Sequence, residues 1–90
     1  MIPVADRIGK IKVETISFTP QSIPANNIVI FNDTSVQNKA VLGFIVTGVS
    51  SGNISVTQLF SGASGTGVAI KNNGSSAITP SGVYVDYLDI

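Results

Sequence analysis

The sequence predicts an all-β protein, an antiparallel β-sandwich of about six to seven short strands. Three observations predict it. Val, Ile, Thr, Phe and Tyr dominate the ordered stretches, the residue types that suit a pleated, half-buried surface. Gly, Ser, Asn and Pro interrupt them every 8–12 residues or so, a spacing typical of sandwiches and barrels. No segment sustains the 3.6-residue apolar period of an amphipathic helix.

The first predicted strand is Lys10 to Phe18. Ile11 and Val13 share one parity while Ile16 and Phe18 have the other, so a β-bulge or bend is expected near Glu14-Thr15. Pro20 and Pro24 then bound an extended connection outside the sheet or at its edge, because proline cannot donate to a ladder. The second strand spans Asn27 to Asn32 and ends in the turn chemistry of Asp33-Thr-Ser. The third, Lys39 to Val49, is apolar on both faces: Ala40, Leu42, Phe44 and Val46 on one, Val41, Ile45 and Val49 on the other, with Gly43 and Thr47 between. One face of an antiparallel two-layer domain is normally wet, so this strand is expected to bury a second surface, either within the chain or between subunits. Asn53 to Phe60 alternates, with Ile54, Val56 and Phe60 inward and Ser55, Thr57 and Leu59 opposite. Ser61 to Gly67 reads as a flexible loop, Val68 to Lys71 as a short strand, and Asn72-Asn-Gly-Ser75 as a tight turn. The last strand runs from Val83 to Ile90. Residues 1–9 form an N-terminal arm and residues 10–90 a single domain.

Composition narrows the function. Ninety residues make one domain, which buries only about 60–65% of the surface its unfolded chain exposes. Cysteine and histidine are both absent, which removes disulfides, thiolate metal sites, the commonest metal ligand and the usual general base. No cofactor or metal is expected. Apolar residues make up 43% of the chain and charged residues 11%, against about 25% charged in an average domain. That excess of apolar side chains on a small body predicts burial against other copies or a partner. The net charge is zero, without a basic run, so no nucleic-acid partner is expected. The N-terminus lacks the apolar core of a signal peptide and no stretch is long and apolar enough to span a bilayer. The chain is therefore expected to be made in the cytoplasm, with no membrane partner.

Motifs with chemical meaning resolve into structural ones. Gly62, Gly65 and Gly67 follow neither the dinucleotide nor the Walker spacing, since Val68 stands where the Walker lysine would. Three Asn-x-Ser/Thr triplets (at Asn32, Asn53 and Asn73) are expected by chance in so Ser-, Thr- and Asn-rich a chain. The acidic residues Asp6, Glu14, Asp33, Asp86 and Asp89 form no local ligand motif. Serine has no histidine to activate it, and Lys39 and Lys71 would have to be buried to act as bases. An enzyme is not expected.

The spacing of turns and strands carries a resemblance over roughly residues 15–88. Ser22-Ile-Pro-Ala-Asn-Asn27 precedes a strand; Val46-Thr-Gly-Val49 and Ser51-Gly-Asn-Ile-Ser-Val-Thr57 lead through a glycine turn to an alternating strand. Gly67-Val-Ala-Ile-Lys-Asn72 and Ala77-Ile-Thr-Pro-Ser-Gly-Val-Tyr-Val85 follow. This pattern resembles small β-sandwich structural proteins of tailed bacteriophage virions; the stretch Ile28 to Val46 departs from it by being more apolar. The resemblance implies a head decoration or fibre protein, or a tail or baseplate piece. Such a protein would be a virion component, without catalysis, self-associating (typically as a trimer) and docking on other virion proteins of a capsid or tail lattice.

Candidate residues follow from these readings. The association surface is expected on Val41, Gly43, Ile45 and Thr47 or on the opposite parity of that strand. Arg7, Lys10 and Lys12 near the start and Asp86 and Asp89 at the end predict that the first and last strands meet, within one chain or across a subunit boundary; Lys10, Lys12, Asp86 and Asp89 are then rim or pairing charges. A rival reading is a glycan- or host-surface-binding module, in which Tyr84 or Tyr87 contacts the ligand beside the Gly62–Gly67 and Asn72–Ser75 loops.

Overall fold

The computed structural model describes residues 12–89, which form six strands: β1 (Lys12–Phe18), β2 (Ile28–Asp33), β3 (Ala40–Thr47), β4 (Ile54–Gly62), β5 (Gly65–Asn72) and β6 (Gly82–Asp89). A single 3-10 turn at Ser51–Asn53 precedes β4, and no α-helix occurs among the described residues. The arm over residues 1–9, Arg7, Lys10 and the final Ile90 lie outside the described residues.

The strands make two three-stranded antiparallel sheets, β1-β6-β3 and β2-β5-β4, packed face to face with β1 against β2 and β3 against β4. The middle strands β6 and β5 supply most of the core. Val83 and Val85 of β6, Val68 and Ile70 of β5, Phe31 of β2 and Ile23 are buried together, and Phe18, Val29, Val41, Val46 and Leu59 pack around them. Phe18 and Phe31 meet edge to face across the two sheets, with ring centroids 6.0 Å apart, a geometry worth roughly 0.5–1.5 kcal/mol beyond area burial.

The first and last strands pair within the chain. Lys12 stands opposite Asp89 and Phe18 opposite Val83, with an unbroken register between. The expected bulge near Glu14-Thr15 is therefore absent. Val13 and Ile16 differ in parity because they lie on different faces of a regular strand: Ile16 is buried and Val13 is 62% exposed.

The bulges fall elsewhere. In β3 the register against β6 shifts between Val41 and Gly43, and in β4 the register against β5 shifts between Val56 and Gln58. Each inserted residue reverses the face of everything beyond it. In β4 this overturns the expected alternation: Leu59 pairs with buried Val68 on the inner face, and Phe60 pairs with Gly67 on the outer face. The Ser61–Gly67 loop is likewise corrected. Strands β4 and β5 run into a hairpin whose connection is only Ala63-Ser64, with Gly62 opposite Gly65. Gly65 has φ +136°, and a Cβ at Gly67 would run into the backbone carbonyl of Phe31; both glycines serve close strand approach, not looseness.

Two buried polar side chains, Thr66 and Asn72, close the ends of β5. Thr66 Oγ1 donates to Val36 O at 2.9 Å, so its contact with Ser61 Oγ at 2.6 Å is one in which Ser61 donates. Ser61 Oγ in turn accepts from the Lys39 amide at 2.8 Å. This chain of bonds ties the β2–β3 connection over the hairpin. At the other end Asn72 Nδ2 donates to Ile23 O and Ser76 O, each at 2.9 Å, and Oδ1 accepts from the Gly74 amide at 2.8 Å. Asn72 thus lies within β5 and clamps the crossover to β6; the tight turn begins after it. The proline-flanked connection is outside the sheets as expected, but its Ile23 is fully buried and exchanges backbone hydrogen bonds with Ile78.

Candidate association surface

The registers map both outer faces residue by residue. On the β1-β6-β3 sheet three rows face away from the core: Val13–Leu88–Ala40, Thr15–Asp86–Gly43 and Ser17–Tyr84–Ile45. On the β2-β5-β4 sheet the rows are Ile28–Lys71–Ser55, Ile30–Ala69–Gln58 and Asn32–Gly67–Phe60. Val13, Ile28, Ile30 and Ile45 are between 52% and 62% exposed. Four branched aliphatic side chains thus stand on the solvent side of a sandwich whose core is already formed.

The sequence-derived set Val41, Gly43, Ile45 and Thr47 does not share a face. The bulge after Val41 leaves that residue opposite Tyr87, packed against the core. Gly43, Ile45 and Thr47 lie beyond the bulge on the outer face, in line with Asp86, Tyr84 and Gly82. Nothing in one sequence signals this split, because an inserted residue in an apolar strand leaves no compositional mark. The residues missed were on the second sheet: Ile28, Ile30 and Phe60. The clue lies in Ala69 and Gly67, small residues in the middle of a strand, which stand opposite Ile30 and Phe60.

The charges settle into ordinary roles. Lys12 faces Asp89 across the β1–β6 pair, and Asp89 forms an exposed ion pair with Lys39 at 3.1 Å, a contact worth about 0–1 kcal/mol. Asp86 accepts a hydrogen bond from Thr15 Oγ1 at 2.6 Å on the outer face. Asp33 Oδ1 accepts from the Ser35 hydroxyl at 2.6 Å and the Ser35 amide at 2.9 Å, and these bonds, the hydroxyl's first, hold its carboxyl below the usual carboxylate range.

The two tyrosines lie on opposite faces of β6. Tyr87 belongs to the inner face, between Glu14 and Val41. Tyr84 belongs to the outer face and folds over Gly82: a Cβ there would meet the tyrosine Oη at 2.6 Å. Tyr84 shields bare backbone, as an aromatic neighbour does for a strand glycine. Neither tyrosine adjoins the Ala63-Ser64 hairpin, which belongs to the other sheet.

Two concavities accompany the apolar rows. A shallow groove of about 480 Å³ runs over the outer face of the β2-β5-β4 sheet, floored by Ala69 and walled by Ile30, Asn32, Gln58, Phe60 and the hairpin. A cleft of about 290 Å³ opens between the sheets on the β3–β4 side, lined by Phe44, Val46, Val49, Ile54 and Val56. The cleft explains why Phe44, paired with fully buried Val85, is itself 42% exposed: the layers gape there, and the ring has no partner on one side. Compared with protein-family models, with curated proteins and with solved structures, the chain matches none.

Proposed function

We propose that this chain is a non-enzymatic structural component that works by associating with further copies of itself and docking on a larger protein lattice. One observation carries the reading: both outer faces of a completed sandwich present branched aliphatic residues, Val13 and Ile45 on one and Ile28 and Ile30 on the other, each more than half exposed. A small monomer gains nothing by exposing them, and each costs up to about 1.5–3 kcal/mol relative to full burial. The scarcity of charge in the sequence fits a dense assembly, where like charges repel. The virion setting, as a decoration, cement, fibre, tail or baseplate component, rests on the strand-and-turn resemblance described above. The test is the native mass by light scattering across a concentration series, for the parent chain and for Ile45→Ser and Ile30→Ser. Association in the parent and its loss in both variants, with melting unchanged, supports the reading; a parent that stays monomeric at all concentrations overturns it.

The rival reading, a glycan- or host-surface-binding module, is favoured by a different observation from the one its tyrosines suggested. The 480 Å³ groove combines an aromatic side chain, Phe60, with two uncharged amides, Asn32 and Gln58, a lining suited to a neutral ligand. Binding of a neutral oligosaccharide that Phe60→Ala abolishes is its test.

A further inference from the structure

We propose that copies associate head to tail, the outer face of the β1-β6-β3 sheet of one molecule seating on the outer face of the β2-β5-β4 sheet of the next. The inference rests on the self-association reading and names its surfaces. Two independent features of the faces lead to it.

The first is charge. Among the outward positions of the strands, the β1-β6-β3 face carries one charged side chain, Asp86, and the β2-β5-β4 face carries one, Lys71. Among the described residues, Lys71 forms no ion pair or hydrogen bond, and Asp86 has Thr15 as its one side-chain partner. Asp86 sits on the middle strand in the middle row of its face. A two-fold contact between two such faces would therefore bring Asp86 against Asp86, a like-charge juxtaposition that disfavours the pair. The head-to-tail contact puts opposite charges together instead.

The second is relief. Along the outer face of the middle strand β6 stand the large side chains of Tyr84, Asp86 and Leu88, with Val13, Thr15 and Ser17 beside them on β1 and Ala40, Gly43 and Ile45 on β3. Along β5 the small residues Gly67 and Ala69 form a depression between Ile30 and Asn32 on β2 and Gln58 and Phe60 on β4. The large side chains of one middle strand meet the small ones of the other, and Lys71 stands two positions beyond Ala69 on the same face. Residues i and i+2 of a strand are about 6.6 Å apart, so a carboxylate lying over Ala69 is within reach of a lysine two positions on. Seating the two faces also covers Ile28 and Ile30 with Tyr84, Leu88 and Ile45 of the neighbour.

The two faces lie on opposite sides of the sandwich. Repeating one such contact therefore propagates a stack, since a heterologous interface closes only when its rotation returns to the start. This departs from the trimer that the sequence resemblance implies.

The experiment is a charge exchange on the full chain. Asp86→Lys and Lys71→Glu are made singly and together, with melting and circular dichroism checking each fold. Each single variant should need about tenfold or more higher concentration to reach the parent's mean mass. Mixing the two singles should restore association. The face altered by Asp86→Lys then meets the face altered by Lys71→Glu, and the unaltered Asp86 and Lys71 meet at the alternate junctions. The double variant should associate alone. Single variants that associate like the parent, or dissociated singles that mixing does not rescue, overturn the head-to-tail contact while leaving self-association standing. A parent that is monomeric throughout overturns both, and oligosaccharide binding at Phe60 by that monomer would give the groove to a sugar.

Discussion

Removing the side chain of Asn72 should cost this domain about 2–4 kcal/mol. Asn72 is fully buried and makes three hydrogen bonds, to Ile23 O, Ser76 O and the Gly74 amide. A buried neutral hydrogen bond contributes about 0.5–1.5 kcal/mol net, and an orphaned buried partner costs more. Ile23 O keeps a second donor, the Ile78 amide at 3.1 Å, so its loss is the smallest of the three. The cost is a large share of the roughly 5–13 kcal/mol expected for a domain of this size. Chemical denaturation of Asn72→Ala with an unchanged slope measures it. Asn72→Asp separates polarity from packing. Its carboxylate keeps an acceptor for the Gly74 amide but turns the other oxygen toward two carbonyl oxygens, so its folded-state pKa rises above the ordinary value. Protonation then restores one donor. The deficit of Asn72→Asp should be largest at neutral pH and shrink as pH falls through the raised pKa toward about 4. A loss below about 1 kcal/mol in Asn72→Ala, or a pH-independent deficit in Asn72→Asp, would refute the clamp.

Further expectations follow from the same geometry. Ile23→Ala removes a fully buried side chain that bridges to Ile78 and should lower stability by about 2–5 kcal/mol in a denaturant titration. Gly67→Ala places a methyl group on the Phe31 carbonyl, so strands β2 and β5 must part; a fall of about 1–3 kcal/mol or more is expected, with faster amide exchange along that pair. Val41→Asp should unfold the domain, whereas Ile45→Asp should leave its melting near the parent's, because the bulge sends the first residue to the core and the second to solvent; matching effects would show that the bulge is misassigned. Asp33 is stabilised as the carboxylate by Ser35, so its folded pKa lies below its unfolded one. The turn's contribution is then complete above pH ~3.8, the ordinary value, and is lost as pH falls through the lowered folded value. Following the Asp33 carboxyl resonance by NMR should show this, and Ser35→Ala should move the titration back up.

The class of the protein, its strands and most of its turns are legible in the amino-acid order, because these rest on local chemistry. β-Branched and aromatic runs suit extended backbone, and Pro20 and Pro24 break it where the structure breaks it, although the third strand stops at Thr47, before Gly48, and not at Val49. The sequence also predicted that the first and last strands meet, from opposite charges at the two ends, and Lys12 does face Asp89. Which side of each strand faces water is set by the packing of the whole fold. A period of two specifies alternation but not its phase, and one extra residue at Leu42 or Thr57 reverses the phase without changing composition. That is why Val41 parted from Ile45, and why Leu59 and Phe60 exchanged places. The Asn72 clamp and the Ile23–Ile78 bridge were hidden for a related reason. Their partners lie 49 and 55 residues apart in the chain, and only the packing of one sheet on the other brings them together.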